Sequence, residues 1–231
     1  ITGGAGGIGT ATVHKLLKKE ALVCVADWNQ ERLENLKKSI PESKKPFFFS
    51  YTLDLGNPES VKDMVQSFFE RCGAIDVLIN NAGVAHNGDI EEQTPETWAE
   101  TINTNLTGVF YCCKEVVPLM KERGGYIINI SSRAGTNPYA GDIAYTASKF
   151  GLNGFSEALL LNLKKHKIRV SYLVPGRVST NFAGEEPQPW HVSPEDIAKV
   201  VLDLLSLDER SVASRVEIRP SLTTPGEAVF K

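Results

Sequence analysis

The spacing of the apolar residues constrains this chain more than any other feature. Near-continuous apolar runs at 21–26, 47–53, 75–79, 126–130, 168–174 and 212–218 are too short, and too rich in β-branched and aromatic residues, to be helices. Helical stretches lie between them at about 7–19, 28–39, 58–72, 95–122, 145–166 and 194–205. Strands that are apolar on both sides need cover on both faces, which a parallel sheet between two helix layers provides. Alternation along the whole length predicts an α/β fold with a doubly wound parallel sheet, one domain over residues 1–231. Asn57-Pro58, Thr94-Pro95 and Ser193-Pro194 each set a capping side chain before a first-turn proline and mark three helix starts. Ser193 and Asp196 resemble a capping box in which Asp takes the usual place of Glu.

Composition narrows the function. With 231 residues, 42% of them hydrophobic, the chain can bury a large core. A net charge of −3 supplies no basic surplus for nucleic acid or an anionic membrane. No apolar run approaches the roughly 18 residues that a membrane helix requires, and no signal peptide is expected. Cys24, Cys72, Cys112 and Cys113 form no C-x-x-C pair, so a reducing, cytoplasmic setting is expected rather than a disulfide framework. No histidine or cysteine pair has metal-ligand spacing, and no metal is expected.

Two clusters carry chemistry. The first is Thr2-Gly3-Gly4-Ala5-Gly6-Gly7-Ile8-Gly9, running into a helical pattern. Glycines let a turn adopt positive φ and let backbone approach a phosphate, and the following helix N-terminus favours an anion. Asp27 ends the next strand 18 residues after Gly9, where a carboxylate can hold adenosine ribose hydroxyls and repel a 2′-phosphate. No Arg or Lys lies within 3–9, and Trp28-Asn29 follows Asp27, so NAD is expected over NADP. Such a turn sits at the end of a strand, of which Ile1 is only the last residue; a first strand largely missing from this chain is therefore expected.

The second cluster is Tyr145-Thr146-Ala147-Ser148-Lys149, with phenol and ammonium one helical turn apart. A free tyrosine has a pKa near 10, and lowering it by roughly 3 units takes about 4 kcal/mol. A cation beside it in a partly dry site can supply that and make Tyr145 a general acid/base near neutral pH. Ser132 stands thirteen residues earlier, just past the apolar strand 126–130, at the sheet edge where α/β folds bind ligands.

In their order and spacing these elements resemble the short-chain dehydrogenase/reductase family. The resemblance rests on T-G-G-A-G-G-I-G at 2–9, Asp54, Asn80-Asn81-Ala82-Gly83, Asn105, Ser132, Y-T-A-S-K at 145–149, and Pro175-Gly176 with Thr180. It implies a Rossmann fold and NAD(P)-dependent hydride transfer to or from an alcohol or ketone substrate. By this resemblance Tyr145 exchanges the proton, Lys149 lowers its pKa and binds the nicotinamide ribose, and Ser132 orients the substrate oxygen. Asn105 holds a relay water. Gly3, Gly7, Ile8, Gly9 and Asp27 bind the cofactor, Asp54 and Leu55 its adenine, and Asn81 and Gly83 flank its adenosine ribose. Pro175, Gly176, Val178 and Thr180 hold the carboxamide. The chemistry agrees: hydride transfer to a carbonyl leaves an alkoxide that needs a proton and hydrogen-bond donors fixed in advance, and Ser132 and Tyr145 supply two.

The resemblance places a short substrate loop at about 181–193, with Phe182, Trp190 and His191 as a partly apolar lid. His86, just after the Asn80–Gly83 loop, is a further substrate candidate. Leu159-Leu160-Leu161 and Leu163 exceed one core-facing stripe and point to a homodimer or homotetramer. Two alternatives stand beside an NAD-dependent alcohol dehydrogenase or carbonyl reductase. One is an NADPH-dependent 3-oxoacyl reductase, which the carboxylate of Asp27 opposes. The other is a non-catalytic nucleotide-binding sensor or scaffold, which the presence of both Tyr145 and Lys149 opposes.

Overall fold

Every paired strand runs parallel to its neighbour in the computed structural model, which describes residues 1–184 and 186–221. The chain order is α1 (Gly7–Lys18), β1 (Val23–Asp27), α2 (Gln30–Ser39), β2 (Phe48–Thr52), α3 (Pro58–Cys72), β3 (Val77–Asn80), α4 (Pro95–Ile102), α5 (Gly108–Met120), β4 (Gly125–Ile130), α6 (Ile143–Leu163), β5 (Ile168–Pro175), α7 (Pro194–Leu205) and β6 (Arg215–Ile218). β1 pairs with β2, and β3, β4, β5 and β6 follow one another in a second row. Ile1 and Thr2 join the two rows. The Ala26 amide donates to the Ile1 carbonyl at 2.9 Å, and the Thr2 amide donates to the Ile79 carbonyl at 3.0 Å. The chain thus winds outward to β2 and then crosses back to β3, the reversal that opens a crevice at the strands' C-terminal ends.

The near-continuous apolar strands are explained by two-sided burial. In β4, Ile127 packs with Val61, Val109, Cys112 and Leu152 of α3, α5 and α6. Its neighbours Tyr126, Ile128 and Ile130 face the other way, against Ile197 and Val201 of α7. Val13 and Leu17 of α1 meet Val25 of β1 and Leu33 and Leu36 of α2 on that same side. Cys112 and Cys113 are buried in the core as small apolar groups.

A polar ladder crosses this apolar interior. Asn80 and Asn129 are register partners, and Asn80 Nδ2 donates to Asn129 Oδ1 at 2.9 Å. Asn129 Nδ2 donates to Ser156 Oγ at 2.8 Å, and that hydroxyl donates to the Leu152 carbonyl.

Some boundaries differ from the sequence expectation. The stretch 95–122 is two helices joined by a π-turn at Asn103–Thr107, because Asn105 is drawn out of the ladder by partners on two other segments. Its polar and β-branched residues also hold a regular helix weakly. α2 begins at Gln30 because the Asn29 side chain accepts from the Arg32 amide as a cap. Ser193 caps α7 through the Asp196 amide, but Asp196 accepts the Ser193 hydroxyl at 2.8 Å instead of completing a box. α3 ends on Gly73 at φ +73°, the left-handed cap glycine favours.

Ile128 is fully buried between β4's neighbours and α7. Ile128→Ala is expected to lower stability by about 2–5 kcal/mol in urea unfolding, the cost of lost burial plus a cavity.

Candidate active site

A cavity of about 960 Å³ opens at the C-terminal edge of the sheet. Its floor is the glycine turn. Gly3 adopts φ +59°, and a Cβ there would come within 2.6 Å of the Ala82 Cα. A Cβ on Gly9 would meet the Gly3 carbonyl at 2.3 Å, and one on Gly7 would meet Thr180 Cγ2 at 2.4 Å. At Gly3 and Gly9 backbone therefore passes backbone with no room for side chains, and at Gly7 it passes the Thr180 side chain. Gly6 caps α1 without a side-chain acceptor, and its first turn has no acid, so N–H groups of α1 face an opening lined by Gly6, Gly7 and Ile8. That is the electrostatic form of a phosphate cradle.

At one end of the cavity stands Asp27, 7% exposed. Its two oxygens accept from the Ala5 and Asn29 amides, each at 3.1 Å, tying the glycine turn to the start of α2. Trp28, 66% exposed, and Arg32 line the same end. Beside the turn, Asn81 Nδ2 donates to the Thr2 and Gly3 carbonyls, and Thr2 Oγ1 accepts from the Asn81 and Ala82 amides.

At the other end lie Ser132, Tyr145 and Lys149. Ser132 follows β4, and its Oγ accepts from the Ala134 amide at 3.1 Å, leaving its own proton for another acceptor. Lys149 is 3% exposed, and Nζ donates to the Ile130 carbonyl at 3.0 Å. Nζ lies 5.6 Å from the centre of the Tyr145 ring. Burial pushes the Lys149 ammonium down to about 8. The Phe182 ring lies beside Tyr145, ring centres 5.7 Å apart.

Of the expected site residues, Gly3, Gly7, Ile8, Asp27, Asn81, Gly83, Ser132, Tyr145, Lys149, Pro175, Gly176, Val178 and Thr180 line this one cavity. Gly9, Asp54, Leu55 and Asn105 do not. Gly9 is packed beneath the turn. Asp54 is exposed and accepts from the Gly56 amide at 2.8 Å, and Leu55 is a core residue, where a Cβ on Gly108 would come within 2.8 Å of it. Asn105 is fully buried. Oδ1 accepts from the Val84 amide at 2.9 Å, and Nδ2 donates to the Val84 carbonyl and to Ser148 Oγ. It clamps the loop after β3 to α6, one residue from Lys149.

The expected lid is corrected in part. Phe182 lines the cavity, whereas Trp190 and His191 pack against each other with ring centres 4.3 Å apart and do not reach it. Glu185, within the expected loop, lies outside the described residues. His86 does not line the cavity and pairs with Glu100 at 2.9 Å. Three basic residues absent from the sequence reading do line it: Arg32, Arg133 and Arg177. Arg32 lies five residues beyond Asp27, and one turn of α2 brings it back to the carboxylate's side. Arg133 had a visible signal, a charge directly after Ser132 at the sheet edge.

Among the described residues no helix is long and apolar enough to cross a membrane. The short chain dehydrogenase family model matches residues 1–189. A 3-oxoacyl acyl-carrier-protein reductase, FabG, of Thermotoga maritima is 33% identical, covering 94% of this chain and 93% of its own length. A trans-4-hydroxycyclohexanecarboxylate dehydrogenase of Sinomonas cyclohexanicum is also 33% identical, over 91% of this chain and 86% of its own. An alcohol dehydrogenase of Thermococcus sibiricus, solved with 5-hydroxy-NADP, superposes with a TM-score of 0.90 at 26% identity, covering 97% of both chains.

The buried ammonium makes stability depend on pH. Below about pH 8, Lys149 is charged in both folded and unfolded chains, and the folded state bears the full desolvation cost. Between about 8 and the ordinary 10.5 the unfolded chain binds the extra proton, so stability rises with pH by about 3 kcal/mol from this group. The buried thiols of Cys24, Cys112 and Cys113, held up by burial, act with the opposite sign above pH 9. Urea unfolding of wild type and Lys149→Met across pH 7–10.5 isolates the lysine: the variant is expected to lose the rising contribution.

Proposed function

Because the chain belongs to the short chain dehydrogenase family, a family of NAD(P)-dependent oxidoreductases acting on CH–OH or carbonyl groups, we propose that it moves a hydride between NAD and an alcohol or carbonyl carbon, with Tyr145 as the acid/base. The observation that carries this reading is the convergence of Ser132, Tyr145 and Lys149 on the cavity that the glycine turn floors. The bound nicotinamide would take or give the hydride. The cradle fits a dinucleotide: an uncapped helix N-terminus beneath glycines, with a carboxylate at one end and the phenol at the other. Of the residues that line the cavity, Gly3, Gly7 and Ile8 would hold the pyrophosphate, Asp27 and Asn81 would flank the adenosine ribose, and Pro175, Gly176, Val178 and Thr180 would face the nicotinamide.

The chain's own groups handle the proton. Tyr145 gives its phenolic proton to the substrate oxygen in reduction and takes it in oxidation. Ser132 donates its free hydroxyl proton to that same oxygen. Lys149 sets a positive charge beside the phenol, held by the Ile130 carbonyl. Asn105 positions α6 and the Gly83–Val84 loop against each other. Exposed Phe110, Phe150 and Leu161 on α5 and α6 accord with self-association through those helices.

Cofactor choice turns on two residues. The Asp27 carboxylate is fixed by two amides and repels a 2′-phosphate, which favours NAD. A second reading, NADPH-dependent reduction of 3-oxoacyl thioesters, draws on Arg32 at that end of the cavity and on the name of the Thermotoga maritima relative. Calorimetric titration with NADH and NADPH tests the choice: NADH is expected to bind about tenfold or more tightly, and Asp27→Ala to erase the difference.

Tyr145→Phe is expected to lower kcat/KM on a ketone panel by about 10²–10⁴ while NADH still binds. Unchanged turnover would refute Tyr145 as the proton donor. Absence of turnover in wild type with both cofactors would favour a nucleotide-binding sensor.

A further inference from the structure

We infer that the substrate carries a carboxylate that docks on Arg133, which narrows the oxidoreductase reading above, on which it rests, to oxo and hydroxy acids. Arg133 directly follows Ser132 and lines the same cavity. Its Nε is buried without a hydrogen-bond partner, and it forms no ion pair among the described residues. Its guanidinium thus stands on the cavity wall without a counter-ion, which an entering anion would supply. Arg177, exposed just after β5, adds a second cation to the lining. The nearby acid, Asp142, already has a partner of its own. The Lys149 ammonium is committed to the Ile130 carbonyl.

Position gives the chemistry its scale. Consecutive Cα atoms lie ~3.8 Å apart, so a guanidinium on the residue after Ser132 reaches a group a few bonds from the carbon whose oxygen Ser132 holds. A carboxylate offers two oxygens matched to the two terminal nitrogens of the guanidinium. A thioester or simple ketone brings no charge there and leaves the guanidinium without a counter-ion.

The test compares free acids with their neutral methyl esters. The panel is 3-oxobutanoate, 4-oxopentanoate and 4-oxocyclohexanecarboxylate with the three corresponding esters, followed through NADH and NADPH absorbance. The acids are expected to exceed the esters in kcat/KM by about tenfold to a hundredfold, the range of a charge-assisted contact, and Arg133→Gln to bring that ratio near one. In parallel, calorimetry of benzoate and benzamide with the cofactor-loaded protein reads the contact without turnover. Benzoate is expected to bind about tenfold or more tightly than benzamide in wild type and equally in Arg133→Gln. Equal acid and ester rates with no benzoate preference would overturn the carboxylate assignment while leaving the oxidoreductase reading intact. A benzoate preference lost in Arg133→Gln, with no turnover of any carbonyl, would uphold the anion site and overturn the oxidoreductase reading.

Discussion

The cavity exists because, at the turn from Thr2 to Gly9, main chain runs against main chain. Gly3 is pressed on Ala82, and Gly9 is pressed on the Gly3 carbonyl, so a methyl group at either position would have to displace backbone rather than a flexible side chain. That closeness lets α1 start directly beneath the crevice and aim its free amides upward. Asp27 and Asn81 then fasten the turn from its two sides, one through the Ala5 amide and the other through the Thr2 and Gly3 carbonyls. The remaining features of the site are arranged around a turn that cannot move without breaking these bonds.

The reacting end follows a different logic. There the interior holds a cation on a single carbonyl, Ile130, at the last residue of β4. Natural proteins seldom bury an ammonium with so little support. The Asn105 clamp and the π-turn that frees it are part of how α6 is kept in place.

The alternation of apolar runs with helical stretches was enough to read the layers and the parallel sheet, since two-sided burial of Ile127 and Ile128 demands that pattern. The crevice residues were legible where chemistry and backbone constraint coincide, as at Gly3, Ser132, Tyr145 and Lys149. The break at 103–107 was not, because periodicity sees only one helix while the cause is a side chain bonded to distant Val84 and Ser148. Arg32 was not legible because it is not adjacent to Asp27 in sequence, and it is the helix that brings it back after a turn. Trp190 and His191 were read into the lid because loop position says nothing about which way rings pack.

The ladder of Asn80, Asn129 and Ser156 bears on how the sheet finds its alignment. β3 and β4 offer each other almost uniform greasy edges, and such edges slide past one another at little cost. A shift by a single residue would set the two amides against hydrocarbon and break their bonds to each other and to Ser156. Three polar side chains thus act as a key for strand alignment, and through it fix the height at which Ser132, three residues past Asn129, emerges at the sheet's rim.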